Sequence, residues 1–362
     1  MLIGKLGNMS KIDSRFWKNK KVFITGHTGF KGTWLSMWLI EMGASLKGFS
    51  LPPNTTPNLF EEVLLDEKMN SVIGDVRDFN KLKQSIEDFE PEIIFHLAAQ
   101  PLVRQSYLNP LETYETNVMG TANLLESCRN ISSLKSVIIV TTDKCYENKE
   151  WDWGYRENEP MGGYDPYSSS KGCAELITSA YRRSFFNSEK SPGIATARAG
   201  NVIGGGDWSE DRLIPDIIKA FNNGEKVIIR NPNSTRPWQH VLEPLSGYLM
   251  LAESIYEKGN HYADAFNFGP NDEGCKSVEW ILNNLCENWI NAPGWELDKN
   301  LNPHEATFLK LDISKAKSQL NWNPSWSLDE SLKCIIDWNE KFMKNENMYQ
   351  YSVSVIRKFN SL

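Results

Sequence analysis

The chain has 362 residues, 40% of them hydrophobic and 23% charged, a make-up that excludes disordered and fibrous proteins. The formal net charge of -7 argues against a nucleic-acid binder, and no apolar run reaches the ~20 residues of a membrane helix. Cys128, Cys145, Cys173, Cys275, Cys286 and Cys334 form no C-x-x-C pair and no Cys/His set with zinc spacing. Free thiols, no metal centre and a reducing compartment follow. The polar, lysine-rich residues after Met1-Leu2-Ile3 leave no signal-peptide core, so a cytoplasmic setting is expected.

The first predicted strand is Lys21-Val22-Phe23-Ile24-Thr25, a short apolar run rich in β-formers. It enters Gly26-His27-Thr28-Gly29-Phe30-Lys31-Gly32, followed by a helical pattern through Trp34, Leu35, Trp38, Leu39 and Met42 that Gly43 ends. Strand, glycine turn and helix together make the setting of a dinucleotide-phosphate fingerprint. Its glycines supply a tight turn, close backbone approach to a pyrophosphate, and helix packing. The first-turn N–H groups and helix dipole then face the phosphates. Gly26, Thr28, Gly29, Phe30, Lys31 and Gly32 are therefore candidate cofactor contacts, although the spacing is G-x-x-G-x-x-G and not G-x-G-x-x-G.

A second strand, Ser45–Phe49, should be followed by an acid that binds a ribose 2′-hydroxyl and repels a 2′-phosphate. Ser50 stands there, which leaves NADP open beside NAD. A third strand over Ser71–Ile73 ends at Gly74-Asp75-Val76. Asp75 is placed to accept from an adenine amino group, with Val76 beside it. Further strands are expected at Ile93–Leu97, Ser136–Thr141 and Gly193–Ala199, alternating with helices at Asn80–Phe89, Thr113–Cys128 and Tyr167–Phe186. This rhythm predicts an α/β fold, a doubly wound parallel sheet with ligands at the carboxyl ends of its strands. At one such end, His96-Leu97-Ala98-Ala99-Gln100 lets a cofactor approach the backbone at Leu97, Ala98 and Ala99, while His96 reads as structural. Beyond residue 198, Gly/Pro/Asn breaks and frequent tryptophans shorten the elements. A dinucleotide-binding domain over 15–197 and a smaller C-terminal α/β substrate domain over 198–345, partly interleaved with the first, are expected. Met1–Ser14 and the last ~15 residues read as peripheral.

Two clusters carry the chemistry. In Tyr167-Ser168-Ser169-Ser170-Lys171 the tyrosine and lysine fall on one helix face. An ammonium beside the phenol should lower its pKa toward general-base values. Thr142-Asp143-Lys144 ends the Ser136–Thr141 strand, and outside such a fold it would read as a solvated turn.

The glycine turn, His96–Gln100, Asn117, Thr142 and Tyr167/Lys171 together resemble the extended short-chain dehydrogenase/reductases that act on nucleotide sugars, over about Phe16–Asp337. Gly26–Gly32, Thr142-Asp143-Lys144-Cys145-Tyr146 and the run Arg198–Trp208 are narrower and look like the CDP-glucose 4,6-dehydratase family. The resemblance implies a Rossmann fold, a retained NAD, and CDP-glucose as substrate. It assigns Thr142 to the sugar 4-hydroxyl and has Tyr167, with Lys171, take the 4-hydroxyl proton while hydride passes to NAD. Lys144 then removes the C5 proton and Asp143 donates to the departing C6 hydroxyl. Related dTDP-glucose dehydratases resemble this with Asp followed by Glu. Both roles need neutral side chains and hence burial, whereas a salt-bridged Asp143–Lys144 pair would serve neither. The resemblance also nominates Asn201, Arg212 and Arg236 for the substrate, with His240 weaker. It implies a homodimer or higher homo-oligomer through the Thr113–Cys128 and Tyr167–Phe186 helices, and a place in deoxysugar biosynthesis for bacterial surface polysaccharides such as lipopolysaccharide O-antigen. The rivals are a dTDP-glucose dehydratase, a UDP-sugar 4-epimerase, an NADP reductase and a non-enzymatic relative. Asp143-Lys144 speaks against an epimerase, and intact Thr142, Tyr167 and Lys171 against lost chemistry.

Overall fold

The computed structural model describes residues 12–298 and 308–361. Its strands are β1 (Lys21–Thr25), β2 (Ser45–Ser50), β3 (Asn70–Ile73), β4 (Ile93–His96), β5 (Ser136–Thr141), β6 (Gly193–Arg198), β7 (Val202–Ile203), β8 (Val227–Ile229), β9 (Thr235–Pro237), β10 (Gln239–His240), β11 (Ala265–Asn267), β12 (Cys275–Ser277) and β13 (Trp295–Leu297). Seven of them form one sheet in the order β11-β6-β5-β4-β1-β2-β3, and every pair in it is parallel. The chain reverses direction between β1 and β4, which opens a crevice at their carboxyl ends. Six of these strands lie where the sequence predicted them. β11 arrives late in the chain, so the segment beyond residue 198 returns to the large sheet before completing the small lobe.

Although β1, β4 and β5 read as unbroken apolar runs, their side chains alternate between two cores. Val22, Ile24, Ile93, Phe95, Ile138 and Val140 face one layer, which the Phe30–Glu41 and Leu242–Lys258 helices cover. Phe23, Ile94, Val137 and Ile139 face the other, under the Phe79–Phe89 and Gly120–Ser127 helices. A third core, with Ile214, Ile217, Phe221, Val227, Ile281, Leu285 and Leu332, fills the small lobe.

Two expectations need correction. The continuous helix expected over 113–128 is three pieces, an α-helix over Pro110–Tyr114, a π turn over Glu115–Met119 and an α-helix over Gly120–Ser127. Asn117 sits in the π turn, and its amide accepts from Gln100 N (2.8 Å) and donates to the Gln100 carbonyl (3.1 Å) and Ser170 Oγ (2.8 Å). A π turn at a functional site is a recurring device. The last residues are not peripheral either. The Met348–Asn360 helix buries Val353, Val355, Ile356 and Phe359, and Phe359 packs edge-on against Trp38 at 5.6 Å. Of the segment Met1–Ser14, residues 1–11 lie outside the described residues.

Candidate active site

The glycine turn between β1 and the Phe30–Glu41 helix assigns a separate task to each glycine. Gly26 has φ 76°, and a Cβ there would meet Ala98 N at 2.7 Å, so only glycine takes this tight turn. A Cβ on Gly32 would strike the Gly26 carbonyl oxygen at 2.0 Å, which makes this the packing position. Gly29, the N-cap, would meet nothing closer than 3.5 Å. Its bareness leaves the backbone open to a ligand, and no side chain caps the helix. An open helix N-terminus is an anion site, so these residues fit the pyrophosphate of a dinucleotide. Thr28 donates to the Leu51 carbonyl (2.8 Å) and accepts from Ser50 Oγ (2.8 Å).

The other cofactor candidates have partners of their own. Asp75 accepts from Arg77 N, Nε and Nη2 at 2.9, 2.8 and 2.6 Å, and its carboxylate keeps further lone pairs. Val76 is buried in the core layer under the Gly120–Ser127 helix. Leu97, Ala98 and Ala99 are half-buried beyond β4, and Ala98 N donates to Thr25 Oγ1 at 3.2 Å. His96 bonds Thr25 Oγ1 (2.7 Å) and Thr121 Oγ1 (3.3 Å). Burial, with the Lys171 charge, pushes it down to about 3, as suits a neutral structural imidazole.

The carboxyl end of β5 and the Pro166–Phe185 helix bring the reactive groups together. Thr142, Asp143, Lys144 and Tyr167 line a cavity of about 620 Å³. Asp143 is buried and accepts from Thr142 Oγ1 at 2.9 Å through Oδ1, while Oδ2 has no partner among the described residues. Lys144 is half-buried, and among the described residues it makes no ion pair with Asp143. Lys171 donates to the Val140 carbonyl at 3.1 Å, and burial brings it down to about 8.

Tyr167 departs from expectation. Burial pushes its phenol up to about 12, against the Thr142 hydrogen bond and the Arg212 charge, which favour the phenolate. Loss of water around the phenol outweighs the cations. Behind these groups Glu175, one helical turn beyond Lys171, pairs with Arg198 at 2.8 Å and accepts from Thr141 and Thr196. Arg198 also donates to Tyr146 Oη at 2.7 Å. This buried network ties β5, β6 and the helix into one rigid support.

The same cavity is lined by Asn201, Arg212 and Arg236. Asn201 has φ 43°, and its Nδ2 is buried without a partner among the described residues. Arg212 pairs with Asp207 at 3.3 Å. Arg236 donates to the Thr235 carbonyl at 3.0 Å. His240 packs between Trp34 and Trp326 (6.1 and 4.8 Å) and does not line the cavity.

Three lining features were missed in the sequence. Arg104 pairs with Asp211 at 3.1 Å, Asp216 and Arg230 add charge to the small-lobe side, and Gly200 lies against Asp143. A Cβ on Gly200 would sit 1.8 Å from Asp143 Oδ2. No local pattern announces such a long-range approach.

Residues 23–335 match the family described as GDP-mannose 4,6 dehydratase. Over 341 residues the chain is 58% identical to the CDP-glucose 4,6-dehydratase of Salmonella typhimurium, covering 93% of this chain and 95% of that protein. Among solved structures, the UDP-glucose 4-epimerase of Thermotoga maritima superposes with a TM-score of 0.76 at 23% identity, over 89% of this chain and 99% of that one. The dTDP-glucose 4,6-dehydratase of Bacillus anthracis, solved in complex with NAD, gives 0.74 at 20% identity, over 91% and 99%. At these identities the structures speak for the fold. The fold, the residues gathered at the end of β5, and the match across most of the chain lead to one conclusion: the chain belongs to the nucleotide-sugar 4,6-dehydratase family.

Proposed function

We propose that this chain is an NAD-dependent CDP-glucose 4,6-dehydratase, converting CDP-glucose to CDP-4-keto-6-deoxyglucose and water. The observation that carries the reading is the buried Asp143, bonded to Thr142 and lining one cavity with Lys144 and Tyr167. A 4-epimerase needs a base at the 4-hydroxyl only, whereas loss of water across C5–C6 needs an acid and a base more. Identity with the Salmonella enzyme supports the cytidine nucleotide.

The glycine turn and the open helix N-terminus suit NAD. Bound there, NAD supplies the acceptor for the C4 hydride and its later donor to C6. No cationic residue occurs from Ser50 to Asn54 after β2. Arg77, after β3, is engaged by Asp75 and flanked by Glu112 and Glu115, each at 3.7 Å, which disfavours a 2′-phosphate.

As the phenolate, which the Thr142 hydrogen bond and the Arg212 charge favour against burial, Tyr167 takes the 4-hydroxyl proton. The 4-ketone makes the C5 hydrogen acidic, because the carbanion delocalises into the carbonyl. Lys144 removes that proton, Asp143 hands one to the leaving C6 hydroxyl from Oδ2, which has no partner among the described residues, and the enolate is later reprotonated at C5. Asn201, Arg212 and Arg236 hold the diphosphate, the arginines by forked charge-assisted bonds.

Exposed Met119 and Leu176 lie on the two helical segments through which we read a homodimer. The free cysteines fit a cytoplasmic enzyme, and among the described residues no helix is long and apolar enough to cross a membrane. The test is to incubate the protein with NAD and CDP-, dTDP- or UDP-glucose, then weigh the products. Loss of one water from CDP-glucose is expected. Unchanged mass with an altered sugar would mean an epimerase and overturn the reading.

A further inference from the structure

The small-lobe side of the cavity holds a carboxylate that the elimination does not use. Asp216 lies in the first turn of the Leu213–Asn222 helix. Ile214, Ile217 and Phe221 of that helix are buried in the small-lobe core, while Asp216 stays half-buried and lines the cavity. Its side chain makes no hydrogen bond or ion pair among the described residues. Burial pushes it up to about 6, Asp211 and Glu210 adding to the rise and Arg230 and Lys219 opposing it. A half-buried carboxylate with no protein donor has lost part of its water, so a ligand that brings a donor is favoured here. The lining beside it includes Pro215, Val227, Ile229 and Val278, apolar walls suited to the faces of a planar ring. The reacting sugar must sit by Thr142 and Tyr167 on the large sheet, so the far end of a nucleotide sugar extends toward these small-lobe elements.

We propose that Asp216 determines the base specificity of the enzyme, accepting a hydrogen bond from the exocyclic amine of a 4-aminopyrimidine and excluding 4-oxopyrimidines. This rests on the CDP-glucose reading given above. Cytosine presents N4–H₂, a donor, where uracil and thymine present a carbonyl acceptor. An ionised carboxylate only accepts, so it pairs with the first and repels the second. A site built around such a bond discriminates far better than an apolar pocket can.

The test measures calorimetric affinities for CDP and UDP, and kcat/KM for CDP-glucose and UDP-glucose, in the natural protein, Asp216→Asn and Asp216→Ala. Asp216→Ala should weaken CDP about 10–100-fold, the worth of a hydrogen bond to a charged group, with the loss in turnover falling on KM. Asparagine offers both an acceptor and a donor, so Asp216→Asn should keep CDP better than alanine does while UDP tightens. The CDP-to-UDP preference then collapses in both variants. Equal losses for the two nucleotides would assign Asp216 to the ribose and overturn the proposal, as would unchanged affinities. The functional reading fails separately, and without any variant, if the natural protein does not dehydrate CDP-glucose. Asp216 survives even that result if CDP still binds more tightly than UDP and Asp216→Asn abolishes the difference.

Discussion

On the large sheet, Thr142, Asp143, Tyr167 and Lys171 hang from a six-residue buried strand and a 20-residue helix, braced by the Glu175–Arg198 pair. On the small lobe, Asp216 rides on a ten-residue helix, Arg236 on a three-residue strand, and Arg230 just past another. The first wall is a continuation of a core with long-range parallel pairing. The second is assembled from two-stranded pieces around its own small core. Groups that move protons must hold position to a fraction of an ångström, and those proposed for that task stand on the rigid wall. The groups proposed to select a nucleotide stand on the wall that can vary without disturbing the sheet.

The division breaks down if changes on the rigid wall alter binding instead of turnover. Tyr167→Phe removes the proposed proton acceptor and little else, so kcat should fall about 10³-fold, within the range of general-base contributions. NAD affinity, read by calorimetry, should stay close to that of the natural protein; a large loss would make Tyr167 a cofactor-positioning group first. Gly200→Ala should cost about 10²-fold in kcat, the low end for a positioned acid, because a Cβ 1.8 Å from Oδ2 drives the Asp143 carboxylate aside. KM for the sugar nucleotide should change little. Neighbouring residues acting through one group are not additive, so Gly200→Ala combined with Asp143→Asn should be no slower than Asp143→Asn alone. A full additive loss would show that Gly200 acts on something else.

The same division decides what could be read from the chain. Six strands of the large sheet were legible because most are apolar runs and all fit the alternation with helices and turn residues, and the G-x-x-G-x-x-G turn was legible because its glycines act locally. β11 was not, since Ala265-Phe266-Asn267 is too short to show a period. The π turn at Asn117 depends on Gln100 and Ser170, which lie elsewhere in the chain. The Met348–Asn360 helix gains its meaning from Trp38 and Trp326. In the site, residue types at the end of β5 announced chemistry, but the state of Tyr167 did not follow from its lysine. Lys171 is bonded to the Val140 carbonyl, and burial governs the phenol. Gly200 and Asp216 are brought to the site only by approaches that folding creates.

Lys31 joins the two walls and offers the smallest effect. It sits in the first turn of the Phe30–Glu41 helix, lines the cavity, and is brought down to about 7 by burial, with Arg212 and Lys171 adding to the fall and Asp143 and Asp207 opposing it. On the reading that it faces the cofactor pyrophosphate, bound NAD favours the ammonium and raises Lys31 again. Below about pH 7 the lysine is charged with or without NAD, and affinity should be flat. Above it the free protein must take up a proton on binding, so affinity should fall as pH rises to about 8, by no more than about tenfold per unit for one proton. Calorimetry in buffers of different ionisation enthalpy would show that uptake directly. Lys31→Met should weaken NAD several-fold near pH 6.5 and remove the slope. A slope that survives in Lys31→Met would place the titrating group elsewhere, and would leave the open helix N-terminus as the main anion site.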